Sequence, residues 1–529
     1  MDRYEQQAPL LQALNCYAAR KDASFHVPGH KDGAAYRAAA GGLTAVLREA
    51  MTIDATEITG LDDLHHPEEV IAEAQRLAAV AFGAEETYFL VGGSTSGNLA
   101  LILTACASPG DVLLVQRNVH KSVIHGLMLA RAQAVFLAPE VDGTSGLATI
   151  PSVETVCEAL RRYPGAKGVL VTHPNYYGMG GSLRPLAEAC HAAGLPLLVD
   201  EAHGAHYGLA AGLPESALAA GADGVVQSTH KMLTAMTMGA MLHVQGPRLD
   251  RGLLRQRLGM IQSSSPSYLI MASLDLSRSY VQQEGKQRIA EALSAIQQLK
   301  EELRSLKYIG WVECTEADGL TETAGRAVPF YSTQDPFKLV IYDKAAGLSG
   351  SELQMKLEEL GCVPEMSDPH YVVLAFSLST SEQDIVRLRE ALAHIDLELV
   401  SNRANPNYLE MASVQDSTAL EDDENKRKTL SVELSTWNIL ENDPISEPIS
   451  FSMEPPKPAL LEEIPINESK GRLAGEMVIP YPPGIPLLYP GERIKDAHIK
   501  QWIQLKNTGA KFQGIADPSL SSIKVYQME

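Results

Sequence analysis

Between about residues 80 and 250 the chain alternates short, wholly apolar runs with longer helical stretches. The runs are ETYFLVGG (86–93), DVLLVQR (111–117), AVFLAP (134–139), GVLVTHP (168–174), PLLVDEAH (196–203), GVVQSTHK (224–231) and AMLHV (240–244). Apolar runs without polar alternation suit strands covered on both faces. Between them lie SVETVCEALRRY (152–163) and LRPLAEACHAAG (183–194), the second closing on Gly194 as a C-terminal cap. Strand–helix alternation of this kind predicts a mostly parallel α/β sheet.

The pattern changes after residue 250. A long helical stretch (273–306) leads into a smaller α+β unit. That unit mixes strands (FKLVIYD, YVVLAFSL) with helices (GSELQMKLEELG, SEQDIVRLREALAHI). Residues 402–450 are polar and carry the acidic LEDDENK, which reads as a linker. IPYPPGIPLLYPGE (479–492) holds five prolines, which preclude ordinary helix and central strand. The organisation expected is an N-terminal arm (1–50), a large α/β domain (51–310), a small α+β domain (311–400), a polar linker (401–455) and a C-terminal domain (456–529).

Polar residues follow the apolar runs at four strand ends, where open α/β sheets gather their ligands. In GGSTSGN (92–98), small residues let backbone N–H groups approach an anion, and the following helix start adds its dipole. A plain Gly/Ser turn with a helix cap reads the same way. In RNVHKSVIHG (117–126), His120 sits just past a strand, although a lone histidine is ordinarily structural. In LLVDEAHGAH (197–206), Asp200 ends an apolar strand, where an unpaired carboxylate is costly to bury. A protonated pyridine nitrogen would meet it, and a helix N-cap would explain it as well. In QSTHKMLTAMTMGA (227–240), Lys231 comes one strand–helix–strand step after Asp200, with Ser228 and His230 beside it. A lysine of lowered pKa forms Schiff bases; a lysine whose stem lies along the strand end is the plainer alternative. Together, a phosphate cradle, a strand-end aspartate and a lysine one step later describe a pyridoxal phosphate site.

Composition narrows the partners. There are 65 acidic against 44 basic residues, a net charge of −21, which disfavours nucleic acid and anionic membranes but not a cationic small molecule. Six cysteines without a CxxC pair fit neither a disulfide framework nor a zinc site, so no metal is expected. No apolar h-region opens the chain and no run of about 18 apolar residues occurs. A soluble, cytoplasmic protein of two or three domains is expected from 529 residues that are 45% hydrophobic.

With those residues placed, the chain resembles the bacterial-type ornithine/lysine/arginine decarboxylases, pyridoxal phosphate enzymes of the aspartate-aminotransferase-like fold (fold type I). The resemblance rests on STHK (228–231), FHVPGHKDG (25–33), ITGLDDLHHPEEVI (58–71), GGSTSGN and IPYPPGIPLLYPGE, in that family's order. It covers roughly residues 5–400 and 460–495.

The resemblance implies that Lys231 holds the cofactor, Asp200 pairs with its pyridinium nitrogen, His120 stacks on the ring and Ala202 packs on the opposite face. Ser94, Thr95, Ser96 and Ser228 would bind phosphate. His230 would stand ready for proton transfer, with His203 a weaker candidate. Glu365, Asp368 and Glu476 are candidates for the basic distal end of the substrate, although each also reads as a solvated surface carboxylate. The compact layout resembles the shorter biosynthetic members, which favours arginine going to agmatine, with lysine or ornithine as alternatives. The resemblance also implies at least a homodimer, with the proline- and glycine-rich FHVPGH segment an extended arm near the partner's site. An aminotransferase or aldolase-type lyase would usually carry a small-domain arginine, absent from YVVLAFSLSTSE (371–382). A non-catalytic regulator is disfavoured because every expected cofactor residue is present.

Overall fold

The structure is a computed structural model that describes residues 7–38, 41–314, 332–404, 444–454, 457, 460–481, 484–507 and 511–527. The apolar runs form the strands β1 (Glu86–Leu90), β2 (Val112–Gln116), β3 (Gln133–Leu137), β4 (Val169–Thr172), β5 (Leu197–Asp200), β6 (Gly224–Gln227) and β7 (Ala240–Val244). They pair in the order β1-β7-β6-β5-β4-β2-β3. The pairings from β6 through β3 are all parallel. β7 runs antiparallel to β6 and to β1. The reason is length: a parallel return needs a crossover of a dozen or more residues, usually with a helix. The β6–β7 connection holds only a four-residue helix (Thr229–Met232).

Strands β4 to β7 are buried on both faces, so their hydrophobic runs need no alternation, while β1, at the sheet edge, is half-buried at Glu86 and Tyr88. Helices cover them. Helix Arg184–Ala192 ends as expected at Gly194, whose φ of +73° puts it in the left-handed region, with its N–H donating to the His191 carbonyl (2.9 Å). A long helical passage, Tyr268–Tyr280 and Lys286–Leu303 joined through one π-turn, carries the chain to the small domain. There Ile309–Trp311, Lys338–Asp343, Val372–Ala375 and Met366–Ser367 form an antiparallel sheet. The C-terminal segment packs its own core around the fully buried Trp502.

Two boundaries differ from the sequence expectation. The first lies in the N-terminal arm (1–50). Helix Pro9–Arg20 belongs to the large domain: Leu10, Leu14 and Tyr17 enter one core with Ile71, Phe89 and Met271. Among the described residues of this arm, the stretch 21–33, which includes FHVPGH, forms neither helix nor strand, and Phe25 there is 94% exposed. The second is the linker (401–455). Residues beyond 443 return to the large sheet, where Ile449–Ser450 pairs with β3 and Phe451 is buried against Phe136 and Tyr489. A few apolar residues in a polar stretch suffice to cover an open strand edge. The acidic LEDDENK stretch lies outside the described residues.

The ITGLDDLHHPEEVI stretch has a structural explanation. Asp62 accepts from the backbone N–H groups of Asp63, Glu68, Glu69, Ile71 and Ala72 at 2.9–3.3 Å, closing the open start of helix Val70–Phe82. Burial pushes the Asp62 carboxyl up, but these donors outweigh it and hold it below the usual range.

Candidate active site

The carboxyl ends of β1, β2, β4, β5 and β6 lie along one edge of the sheet, and their following residues meet there. Helix Gly93–Ala105 starts at the end of β1. It sits tight on the sheet because residue 97 is glycine: a Cβ there would lie 2.8 Å from Leu90 and Val226 side-chain carbons. A helix leaves its first N–H groups without intrahelical partners, which suits an anion; here the Gly93 N–H donates to the Met238 carbonyl (2.9 Å). Of the three hydroxyls proposed there, Ser96 donates to the Gly93 carbonyl (2.7 Å), Ser94 is half-buried and Thr95 is exposed. Ser228, just past β6, keeps a buried Oγ with no partner among the described residues.

Asp200 ends β5, only 4% exposed. Its Oδ2 accepts from Asn98 Nδ2 (2.8 Å) and its Oδ1 from the Ala202 N–H (3.2 Å). Burial pushes Asp200 up, while Asn98 and the charge of Lys231 oppose this. Asn98 was not singled out from the sequence. Its second amide hydrogen goes to Ser122 Oγ (3.0 Å), and Ser122 Oγ is 2.9 Å from His120 Nδ1.

The protons in this chain can be assigned. A carboxylate only accepts, so Asn98 must present its NH₂ to Asp200. The other Nδ2 hydrogen goes to Ser122 Oγ, which then donates onward to His120. His120 Nδ1 also receives the Ser122 N–H (3.2 Å), so Nδ1 is the acceptor and Nε2 carries the ring hydrogen. Burial, with Lys231 and Lys121 nearby, lowers His120 to about 3 and keeps it neutral.

Lys231 is accessible to solvent yet ringed by protein groups. Burial lowers its pKa; the positive charge of Lys338 adds to this, while Asp200 and Glu365 oppose it. Its Nζ is 3.1 Å from His203 Nε2 and 5.7 Å from the Tyr176 ring centre. As an ammonium, Lys231 only donates, so His203 Nε2 accepts. Burial first, then Lys231, holds His203 well below its ordinary value. His230, adjacent in sequence, turns its Nδ1 to the Gly239 carbonyl (3.0 Å). His203, the weaker sequence candidate, therefore touches the amine.

The three distal candidates separate. Glu365 is exposed, and its charge acts on Lys231, His230 and Lys338. Asp368 is committed elsewhere: Oδ1 takes the N–H groups of His370 and Tyr371 (2.7 Å each) and Oδ2 takes the Tyr177 hydroxyl (2.5 Å). Glu476 accepts from the N–H groups of Ala516 and Lys524 (2.9 Å each) inside the C-terminal domain. Both Asp368 and Glu476 are thus tied by backbone N–H donors of this chain, Glu476 within the C-terminal domain. Lys338, 2% exposed in a small-domain strand, was also missed. Its signal was a charge inside the apolar run FKLVIY.

These residues fit pyridoxal phosphate. An unpartnered buried hydroxyl on Ser228, a helix start, an aspartate with lone pairs to spare and a lysine of lowered pKa match its phosphate, ring nitrogen and aldehyde. A family described as Orn/Lys/Arg decarboxylase, major domain, matches residues 8–384, and one described as Orn/Lys/Arg decarboxylase, C-terminal domain, matches residues 458–517. The chain is 33% identical over 527 residues to a Bacillus subtilis (strain 168) protein named arginine decarboxylase, covering 98% of each. It is 40% identical over 509 residues to another protein of that organism, named uncharacterized protein YaaO, covering 96% of each. The solved lysine decarboxylase LdcF of Francisella novicida superposes with a TM-score of 0.77 at 20% identity, covering 98% of this chain and 81% of that one, which shows a common fold.

Proposed function

The chain belongs to the Orn/Lys/Arg decarboxylase family and is a pyridoxal-phosphate-dependent decarboxylase of fold type I, and we propose that its substrate is arginine, released as agmatine and carbon dioxide. One observation carries the choice: the end-to-end likeness to a relative named arginine decarboxylase. Glu365 supplies the matching chemistry, an exposed carboxylate at the site that a guanidinium engages through two parallel hydrogen bonds.

The cofactor, when bound, supplies the sink for the electron pair left when carbon dioxide departs. Asp200 holds its ring nitrogen protonated, and Asn98 fixes the carboxylate for that contact. His120, neutral and locked by Ser122, covers one face of the ring, and Ala202 the other. Ser228 and the start of helix Gly93–Ala105 hold the phosphate. Lys231 would bind the cofactor through Nζ, and burial, which lowers its pKa, favours the neutral amine that this bond needs. Lys231 Nζ, with His203 Nε2 as its hydrogen-bond partner (3.1 Å), would be the group that moves a proton at the site.

The active assembly in this reading is a homodimer in the cytoplasm, where agmatine feeds polyamine synthesis. Support for the dimer comes from one helix, Gly42–Met51, which leaves Leu43, Val46 and Leu47 more than half exposed on one face, and from the exposed Phe25 and Val27 upstream of it. Sedimentation of the purified protein tests it, and a monomer would refute it. All six cysteines are free thiols, in keeping with a reducing compartment. Among the described residues no helix is long and apolar enough to cross a membrane.

The test of substrate is steady-state release of carbon dioxide from arginine, lysine and ornithine, with the amine identified by chromatography. The expected kcat/KM for arginine exceeds the others by about 10-fold or more. Turnover that requires a keto acid and releases no carbon dioxide would sink the proposal.

A further inference from the structure

The C-terminal YPGE has no role in the reading above, and it grips the segment that carries His120. Arg117, 1% exposed, donates through Nη1 to the Pro486 carbonyl (3.0 Å) and through Nη2 to the Leu487 carbonyl (2.9 Å). Its Nη2 also meets both oxygens of Glu492 (3.1 and 3.0 Å). The guanidinium lies 4.2 Å from the centre of the Tyr489 ring, and the Tyr489 hydroxyl donates to the Arg117 carbonyl (3.2 Å). At the other end of the same segment, the Lys121 N–H donates to the Gly484 carbonyl (3.2 Å). Residues 117 and 121 are thus both tied to the C-terminal domain, and His120 lies between them.

We infer that the C-terminal domain is part of the cofactor site: Arg117 and Glu492 are positioning residues that set His120 over the ring. This rests on the placement of His120 proposed above. The same five-residue segment is held from two directions. On one side stands the Arg117–Glu492 clamp. On the other runs the chain from His120 through Ser122 and Asn98 to Asp200. Releasing the clamp shifts His120 off the ring and disturbs the carboxylate at the far end. Misplacement of a reacting array by about 1 Å costs up to about 10²-fold in rate.

The test compares the holoenzymes Glu492→Gln and Tyr489→Phe with His120→Ala and wild type, by visible circular dichroism of the bound cofactor, kcat, KM and thermal melting. His120→Ala should alter the cofactor's dichroism band. Glu492→Gln should alter it in the same sense and lower kcat by about 10-fold, with KM moved much less. Tyr489→Phe, which loses only one hydroxyl bond, should do so to a smaller degree, and it carries the test if Glu492→Gln fails to fold. If His120→Ala changes the band while both clamp variants keep wild-type dichroism and kcat and merely melt earlier, the clamp is interdomain glue and the inference falls. If His120→Ala leaves the band untouched, the placement of His120 itself falls, and the inference with it.

Discussion

Asp200 and Glu492 are both carboxylates that face a cation near one strand edge, and they are furnished in opposite ways. Glu492 is saturated: both oxygens take Arg117, and Oε2 also takes the Tyr489 N–H (3.1 Å). Around Asp200 the reverse holds. Asn98 Oδ1, Thr172 Oγ1, Ser228 Oγ and His203 Nδ1 are all buried without partners among the described residues. An unmet buried polar atom costs about 1–3 kcal/mol, so such a cluster persists where a ligand completes it. Arg117 Nε is also buried without a partner among the described residues, so the contrast lies in the carboxylates: the one engaged by a fixed guanidinium builds the frame, and the one amid several unmet groups marks the chemistry.

Substitutions at the two places should therefore fail in different ways. The largest effect belongs to Lys231→Ala. Decarboxylation should fall by about 10⁴-fold or more, while the melting temperature stays at or above that of wild type. A collapse in stability instead would place Lys231 with the frame. Arg117→Met should do the opposite, costing about 3–5 kcal/mol in urea unfolding because it strands Glu492, 11% exposed, beside an apolar ring. A loss under about 1 kcal/mol would show that the clamp was already solvated.

Acid sensitivity should be shared by site and frame, since His120 and His203 of the site are also held low by burial. Burial lowers His243 and His498 to about 3 and His173 to about 4. These folded values lie below the unfolded one, so below about pH 6.5 the unfolded chain binds protons first. Stability is complete above that pH and falls as pH drops, by about 1.4 kcal/mol per unit for each group. Denaturant unfolding between pH 7 and 5 should show this slope, and His243→Gln should flatten it by one proton. A slope unchanged in that variant would mean that His243 is already charged when folded. The smallest effects separate the carboxylates. Glu365→Gln should raise the KM for arginine by about 10-fold. Glu476→Gln, whose carboxylate is tied to backbone N–H groups inside the C-terminal domain, should leave kinetics within about 2-fold of wild type. Equal effects at the two would remove the reason for preferring Glu365.

Strand positions were legible because a strand covered on both faces has no choice but continuous apolar residues. Asp200 and Lys231 were legible because charge at the end of such a run demands an explanation. What stayed hidden is decided by tertiary hydrogen bonding. Nothing in the sequence shows that Asp368 and Glu476 accept backbone N–H groups, or that Glu365 does not. Adjacency favoured His230, but neighbours on a helical turn point about 100° apart, so the contact with Lys231 comes from His203 beyond β5. Two signals were present and passed over. Leu10, Leu14 and Tyr17 follow the i, i+4, i+7 spacing of a buried helix face. The lysine in FKLVIY is a charge in an apolar run.

Helix Gly93–Ala105 starts at the end of β1, and five residues into it Asn98 grips Asp200. With no Cβ at Gly97, the helix is seated on the sheet without slack. In the proposed reading it would act as a fixed gauge between the two ends of the bound cofactor, with the anion at one jaw and the cationic ring nitrogen at the other. A molecule with the right charges at the wrong spacing cannot satisfy both jaws at once, so recognition by length is built in before any side chain of the cleft moves.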